Sequence, residues 1–239
     1  RGSIIVGPTD DIDPVTGKVY SDANKIVYGI GMAADNGGHI INEGDIRIST
    51  NKSIGMYGAG AGTIVENTGR ILLDGSQATA TNKIQSLTGV YVDEGATFKN
   101  SGLITTTDSY AGRNGKINEN VSGLTGVAVM NGSTLINEAT GKILIDADNS
   151  TGVVIRGKRD AAGNLVRNAV IKNYGEIRVR GKGGSAISWK DVSAAEIAEL
   201  ERQINSLIST DPSGNEITQA SGTSKDYQGI TITVKNGQA

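Results

Sequence analysis

Residues 87–106 read Leu-Thr-Gly-Val-Tyr-Val-Asp-Glu-Gly-Ala-Thr-Phe-Lys-Asn-Ser-Gly-Leu-Ile-Thr-Thr. Apolar and polar positions alternate in three short runs: Val90-Tyr91-Val92, Ala96-Thr97-Phe98-Lys99 and Leu103-Ile104-Thr105. Gly95 and Asn100-Ser101-Gly102 punctuate them. A period of two marks a strand with one buried face, yet each run is too short to stand alone. The rest of the chain repeats the stretch.

Three patterns recur in a fixed order. A small residue precedes apolar-x-apolar at Gly29, Gly55, Gly89, Gly126, Gly152 and Ala186. An apolar residue stands two positions before Asn at Ile40/Asn42, Val65/Asn67, Phe98/Asn100, Leu135/Asn137, Ile171/Asn173 and Val234/Asn236. Gly-x-Ile follows at Gly44/Ile46, Gly69/Ile71, Gly102/Ile104, Gly141/Ile143 and Gly175/Ile177, and Gly2/Ile4 fits as the tail of an earlier unit. A unit of three strands and about 25 residues signals a solenoid. Such a unit predicts an all-β, single-stranded parallel β-helix of about six coils, stacked about 4.8 Å apart. Right-handed crossover is the default for parallel strands. Ile46, Ile71, Ile104, Ile143 and Ile177 should form one inward ladder, and Ile40, Val65, Phe98, Leu135 and Ile171 another.

Departures from the bare unit locate insertions. Residues 7–25, 74–86 and 107–122 leave one corner of the coil, and 157–168 and 190–226 leave another. The last insertion carries the one helix the pattern predicts. Ser193 and Glu196 form a capping box, and Ile197, Leu200, Ile204 and Leu207 follow at helical spacing before Asp211-Pro212-Ser213-Gly214. The helix reads as an appendage within 190–226, so residues 1–239 form one β-helix segment.

Composition agrees with this picture and narrows the chemistry. Gly is 34 of 239 and Pro only 3, which suits many tight turns between short strands. Cysteine is absent, excluding disulfides and thiolate metal sites. Net charge is -2 with both signs dispersed, so nothing suggests a nucleic-acid face. No 18-residue apolar run exists. Arg1-Gly2-Ser3 resembles an expression-vector remnant, and the last strand-like run stops abruptly, so the chain reads as a fragment of a longer protein.

Candidate chemistry is sparse. The aligned Asn residues suggest an amide ladder at a bend, helped by tolerance of the left-handed conformation, and the aligned Gly suggest turn positions with positive φ. Asp10, Asp11 and Asp13, or Asp146, Asp148 and Asn149, could offer oxygen ligands to calcium, but neither set has an EF-hand spacing, and solvated turns fit them better. His39, beside the inward Ile40, should face out with no catalytic partners. Outward positions are mixed: Arg47, Leu72, Thr105, Leu144 and Arg178 on one strand, and Glu66, Lys99, Ile136 and Lys172 on another. No paired carboxylates line up across neighbouring coils, as a glycosidase would need. Tyr57 and Tyr91 should stack on adjacent coils as an exposed aromatic surface, although ordinary β-propensity also accounts for them. With Tyr110 and Arg113, in insertion 107–122, they are the candidate binding residues. Trp189 falls at an inward position.

These repeat units, above all 87–104 and the Ser-Ile-Gly-Met-Tyr-Gly and Ile-Val-Glu-Asn-Thr-Gly-Arg-Ile runs of the preceding unit, resemble the passenger domains of autotransporter (type V secreted) adhesins. Those of the large fusobacterial outer-membrane adhesins are the nearest in look. The resemblance implies a right-handed β-helix at the bacterial cell surface, attached to the membrane only through a C-terminal barrel absent from this chain. Such passengers bind host or bacterial surface proteins or glycans. The chain is therefore expected to be a non-enzymatic adhesin segment without cofactors, contacting its partner through projecting loops. A structural spacer and a glycan-cleaving β-helix are the rivals. Uncapped coil ends could also stack end to end.

Overall fold

The computed structural model describes residues 2–7, 29–106 and 119–189, together with the backbone of strands Ile208–Thr210, Glu216–Thr218, Thr223–Tyr227 and Ile230–Val234. The chain is a parallel β-helix: each turn of the chain lays one strand on each of three sheets. The first face stacks Ile30–Asp35, Ile54–Ala59, Thr88–Asp93, Thr125–Val129, Thr151–Ile155 and Ser185–Trp189. The second stacks His39–Asn42, Ile64–Asn67, Thr97–Asn100, Thr134–Asn137, Ala169–Asn173 and Ile230–Val234, and Thr223–Tyr227 adds antiparallel at its edge. The third stacks Ser3–Val6, Asp45–Ile48, Arg70–Leu73, Leu103–Thr106, Lys142–Asp146 and Glu176–Arg180.

The inward ladders form as the alternation requires. Ile4, Ile46, Ile71, Ile104, Ile143 and Ile177 are successive register partners. So are Ile40, Val65, Phe98, Leu135 and Ile171. In the middle coils these side chains are wholly buried, while Ile4, Ile40 and Ile177 near the ends are only partly covered. Burying each aliphatic side chain contributes about 1.5–3 kcal/mol, so a thin core repeated coil after coil replaces a thick aromatic one.

The Asn residues form the expected ladder. Each Nδ2 donates to the Oδ1 of the next coil: Asn42 to Asn67 at 2.8 Å, Asn67 to Asn100 at 2.9 Å, Asn100 to Asn137 and Asn137 to Asn173 at 2.8 Å. All five side chains are buried. Their backbone is not left-handed, however; each ends a strand with ordinary extended geometry. Left-handed residues stand elsewhere, among them the pairs Asn36-Gly37, Glu94-Gly95 and Asn131-Gly132 between the first and second faces. There the i to i+3 bonds Gly38 N to Asp35 O, Ala96 N to Asp93 O and Ser133 N to Met130 O close tight turns with two positive φ values.

The two repeated glycine columns also lie outside the positive-φ set. Their cause is close approach. A Cβ on Gly44, Gly69, Gly102 or Gly175 would run into the carbonyl oxygen of Gly2, Gly44, Gly69 or Gly141, one coil below. A Cβ on Gly31, Gly55, Gly89 or Gly126 would meet the carbonyl of the glycine one coil above. The column therefore contains Gly31, since Met32 pairs with Met56, and not Gly29 as the sequence pattern suggested.

A second register differs at the far end. Ile171 pairs with Ile232 and Asn173 with Val234, so Val234 does not occupy the ladder position expected of it, and Asn236 lies outside the described residues. Ile-Thr-Ile-Thr-Val alternates in the same way after a slip of two residues, so its pattern cannot choose between the registers. The helix expected over 193–207 lies outside the described residues. Beyond it, Ile208–Thr210 and Glu216–Thr218 pair as an antiparallel hairpin. Among the described residues there is no helix long and apolar enough to cross a membrane.

Candidate functional site

The first face carries the aromatic pair. Tyr57 and Tyr91 are register partners, and Ala33 and Ala128 flank them in the same column. Parallel strands place like side chains one above another, so the rings stack rather than spread: their centroids are 6.0 Å apart at 23°. Only the outer faces of the pair remain for another molecule. On one side Ala128 is buried, but on the other Ala33 is exposed and too small to cover the Tyr57 ring.

Two carboxylates bracket that ring. Asp35, Ala59 and Asp93 follow one another in register, two residues along from Ala33, Tyr57 and Tyr91. Asp93 Oδ1 accepts from Glu94 N at 2.8 Å and from Asn131 Nδ2 at 2.7 Å, which fixes the carboxylate. Burial, and then the charges of Asp93, Asp35 and Glu94, push the Tyr57 hydroxyl pKa above the ordinary phenol value. Burial, Asp93 and Tyr57 raise that of Tyr91, against the opposing pull of Arg156.

Asp35 and Asp93 differ from the other carboxylates on the described strands. Asp45 meets Arg70 in a two-pronged pair at 3.2 Å on each arm. Asp146 meets Arg180 in the same way at 2.6 and 2.8 Å. Glu66 accepts from Lys99 at 3.1 Å and Glu176 lies 3.8 Å from Arg178. Among the described residues neither Asp35 nor Asp93 forms an ion pair, although the charge of Arg156 acts on Tyr91 in the same coil as Asp93.

Insertions frame this face. Residues 157–168 form an antiparallel hairpin, Lys158–Arg159 with Leu165–Arg167. It folds back across two coils: Lys158 pairs with Glu94, and Arg167 lies across Gly132 and Gly95, donating from Nη1 to Glu94 O at 3.4 Å. A side chain at either glycine would dislodge Arg167. Asp160 closes the hairpin, accepting from the N–H groups of Ala162 and Asn164 at 2.9 Å. Hydrogen bonds, first from the Asn164 side chain, lower its pKa. Leu165 and Val166 stand exposed on the hairpin.

At the other corner, Ile84–Gln85 pairs in parallel with Val121–Ser122, tying insertion 74–86 to the next coil. Asp74, wholly buried, pairs with Arg47 and receives Ser76 N at 2.8 Å.

Of the expected site residues, Tyr57 and Tyr91 come together as expected, while Tyr110 and Arg113 lie outside the described residues. Asp10, Asp11 and Asp13 lie outside them too. Asp146 is engaged by Arg180, Asp148 Oδ1 accepts from Lys182 N at 2.8 Å, and Asn149 is a left-handed turn residue, so that trio builds a corner. His39 is exposed with Nε2 3.4 Å from Glu66 Oε1. Trp189 stands opposite the buried Ile155 in register. Among the described residues no three His, Asp or Glu side chains gather as a metal site. Sequence reasoning missed Asp35 and Asp93, although both stand two residues beyond the aromatic column, where register alone places them beside it.

Comparison with known proteins agrees with the fold. Residues 1–103, somewhat under half of the chain, match the family model of the BigA third pectate lyase-like domain. No curated protein and no solved structure matches the chain. The N-terminal coils, including both tyrosines, are thus similar to a pectate lyase-like domain of BigA.

Proposed function

We propose that this chain is a segment of a bacterial cell-surface adhesin, a rigid and non-enzymatic β-helix that presents one decorated side to a surface protein or glycan of a host or another bacterium. The observation that carries this reading is the fastening of the described insertions to the coils. The 157–168 hairpin is held by Lys158, Arg167 and Glu94, and 74–86 by Asp74, Arg47 and the short parallel strand pair. Long loops in compact folds are commonly functional, and a loop held in place presents its exposed Leu165 and Val166 at small entropic cost. The resemblance of the repeats to autotransporter passengers and the match to a BigA domain support the cell surface as its location.

The outward carboxylates support the non-enzymatic reading. Most of those on strands are engaged by a cation of the same or an adjacent coil, an arrangement that fastens coils together rather than one that performs acid-base chemistry. The unbroken Asn ladder gives a pure spacer some claim, because it couples five coils into one stiff unit. One experiment separates the two. Insertions 74–86, 107–122 and 157–168 are replaced by bare corners, and binding to epithelial cells and to partner bacteria is measured. An adhesin segment binds before the change and not after it; a spacer binds in neither form; retained binding after the change places the contact elsewhere.

A further inference from the structure

We propose that Asn36 is a site of spontaneous deamidation, and that the 157–168 hairpin shields its counterpart, Asn131, from the same reaction. The inference goes beyond the adhesin reading and does not rest on it.

The chain contains four Asn-Gly pairs, of which those at Asn36 and Asn131 lie among the described residues. Asn-Gly is open to this chemistry because no side chain on the second residue hinders ring closure. The Gly37 nitrogen, on losing its proton, attacks Asn36 Cγ. The N–Cγ bond forms, the Cγ–Nδ2 bond breaks, and Nδ2 departs as ammonia with that proton. Water then opens the succinimide at either carbonyl, leaving aspartate or isoaspartate. Water is the only co-reactant.

The two turns are a matched pair. Both join the first face to the second, with φ of 48° at each Asn and of 84° at Gly37 or 77° at Gly132. Each glycine N–H donates one hydrogen bond, Gly37 to Thr63 Oγ1 at 3.0 Å and Gly132 to Arg156 O at 3.2 Å. That bond must open before the nitrogen attacks, so the rate follows the population of the locally open turn.

Their surroundings differ. Asn36 is exposed, and among the described residues no hydrogen bond holds its side chain. Nothing lies within 4 Å of the place a Gly37 side chain would take. Asn131 is half-buried, its Nδ2 donates to Asp93 Oδ1 at 2.7 Å, and Arg167 lies across Gly132. The Asn36 turn also joins two edge strands, Ile30–Asp35 and His39–Asn42, whereas the strands around Asn131 have a coil on each side. A turn at the edge of the stack opens more readily than one inside it. Deamidation adds a carboxylate beside Asp35. By the isoaspartate route it also lengthens the backbone of a turn closed by Gly38 N to Asp35 O at 2.8 Å, so the first coil loosens as the protein ages.

The test ages the 239-residue chain at mildly alkaline pH and follows each Asn-Gly peptide by mass spectrometry, with isoaspartyl methylation as a second readout. Asn36 should react about tenfold or more faster than Asn131. In urea-unfolded chain the two should react at similar rates, which assigns the difference to the fold. Arg167→Ala should raise the Asn131 rate severalfold and leave that of Asn36 unchanged, and Asn36→Gln should remove the faster signal; thermal melts confirm that each variant folds. Equal rates in the folded chain, faster reaction at Asn131, or protection of both until the chain unfolds would each overturn the proposal. An Asn131 rate indifferent to Arg167→Ala would refute the shielding.

Discussion

An Asn ladder runs inside this molecule and a Tyr ladder stands outside it. The Asn ladder is buried at the bend after the second face and continues through five coils with four amide bonds. The Tyr ladder stands on the first face and stops after two rungs, flanked by Ala33 and Ala128. Stacking at the coil spacing satisfies both, but the consequences differ with burial. Each inner amide has no water to turn to, so a missing rung leaves its neighbours unsatisfied and the series must be complete. The outer rings carry no such obligation. An interrupted series on the surface leaves the Tyr57 ring beside the small, exposed Ala33, and that incompleteness is what makes it a candidate site.

The comparison is broken most severely from within. Phe98→Ala, in the fully buried ladder of the second face, should destabilise the middle coils by about 3–5 kcal/mol. Denaturant unfolding followed by circular dichroism would show it, and hydrogen exchange should open first around 97–100. Asn100→Ala should follow at about 2–4 kcal/mol, since it strips Asn67 Nδ2 of its acceptor and Asn137 Oδ1 of its donor. Asn42→Ala, at the end of the ladder, removes a single rung partner, Asn67 Oδ1, together with the less buried bonds to Gly44 N and Arg70 O, and should cost about 1–2 kcal/mol. Equal losses for the two Asn variants would show that the amides act independently rather than as a ladder. Tyr57→Ala should cost no more than about 1 kcal/mol of stability, the worth of one stacked aromatic pair. If it unfolded coil two, the outer ladder would be structural like the inner one.

Periodicity revealed the scaffold because every inward position is constrained twice, by its own strand and by the coils on either side. Ile104 must match both Ile71 and Ile143, and any slip by one residue would turn the series outward. Where that double constraint lapses, the pattern stops being decisive. Val234 has a partner on one side only within the parallel series, and its alternating neighbours permit a two-residue slip. Gly29 was aligned for its residue type, but the coil above needs a missing Cβ at Gly31. The purpose of the glycines was similarly hidden, because crowding between coils and left-handed turns both select glycine, and only the packed structure separates them. At the site, the tyrosines showed through their shared column. Asp35 and Asp93 did not, since what sets them apart is that, among the described residues, they form no ion pair where Asp45 and Asp146 do. The hairpin was visible as an insertion, but its attachment through Glu94, more than sixty positions earlier in the chain, was not.

The mildest test of the outer ladder is alkaline pH. Burial and nearby carboxylates raise the Tyr57 and Tyr91 pKa values in the folded chain, whereas both phenols in the unfolded chain ionise near the ordinary value of about 10. As pH climbs past that value, the unfolded state releases these protons before the folded state does. The folded form then binds more protons, so stability falls with rising pH until the folded groups also ionise. The contribution is complete below about pH 10 and is lost above it. Tyr57→Phe and Tyr91→Phe together should flatten that part of the stability profile while leaving the neutral-pH melt nearly unchanged. In the unmodified chain, phenolate absorbance from these two side chains should appear later than from exposed tyrosines.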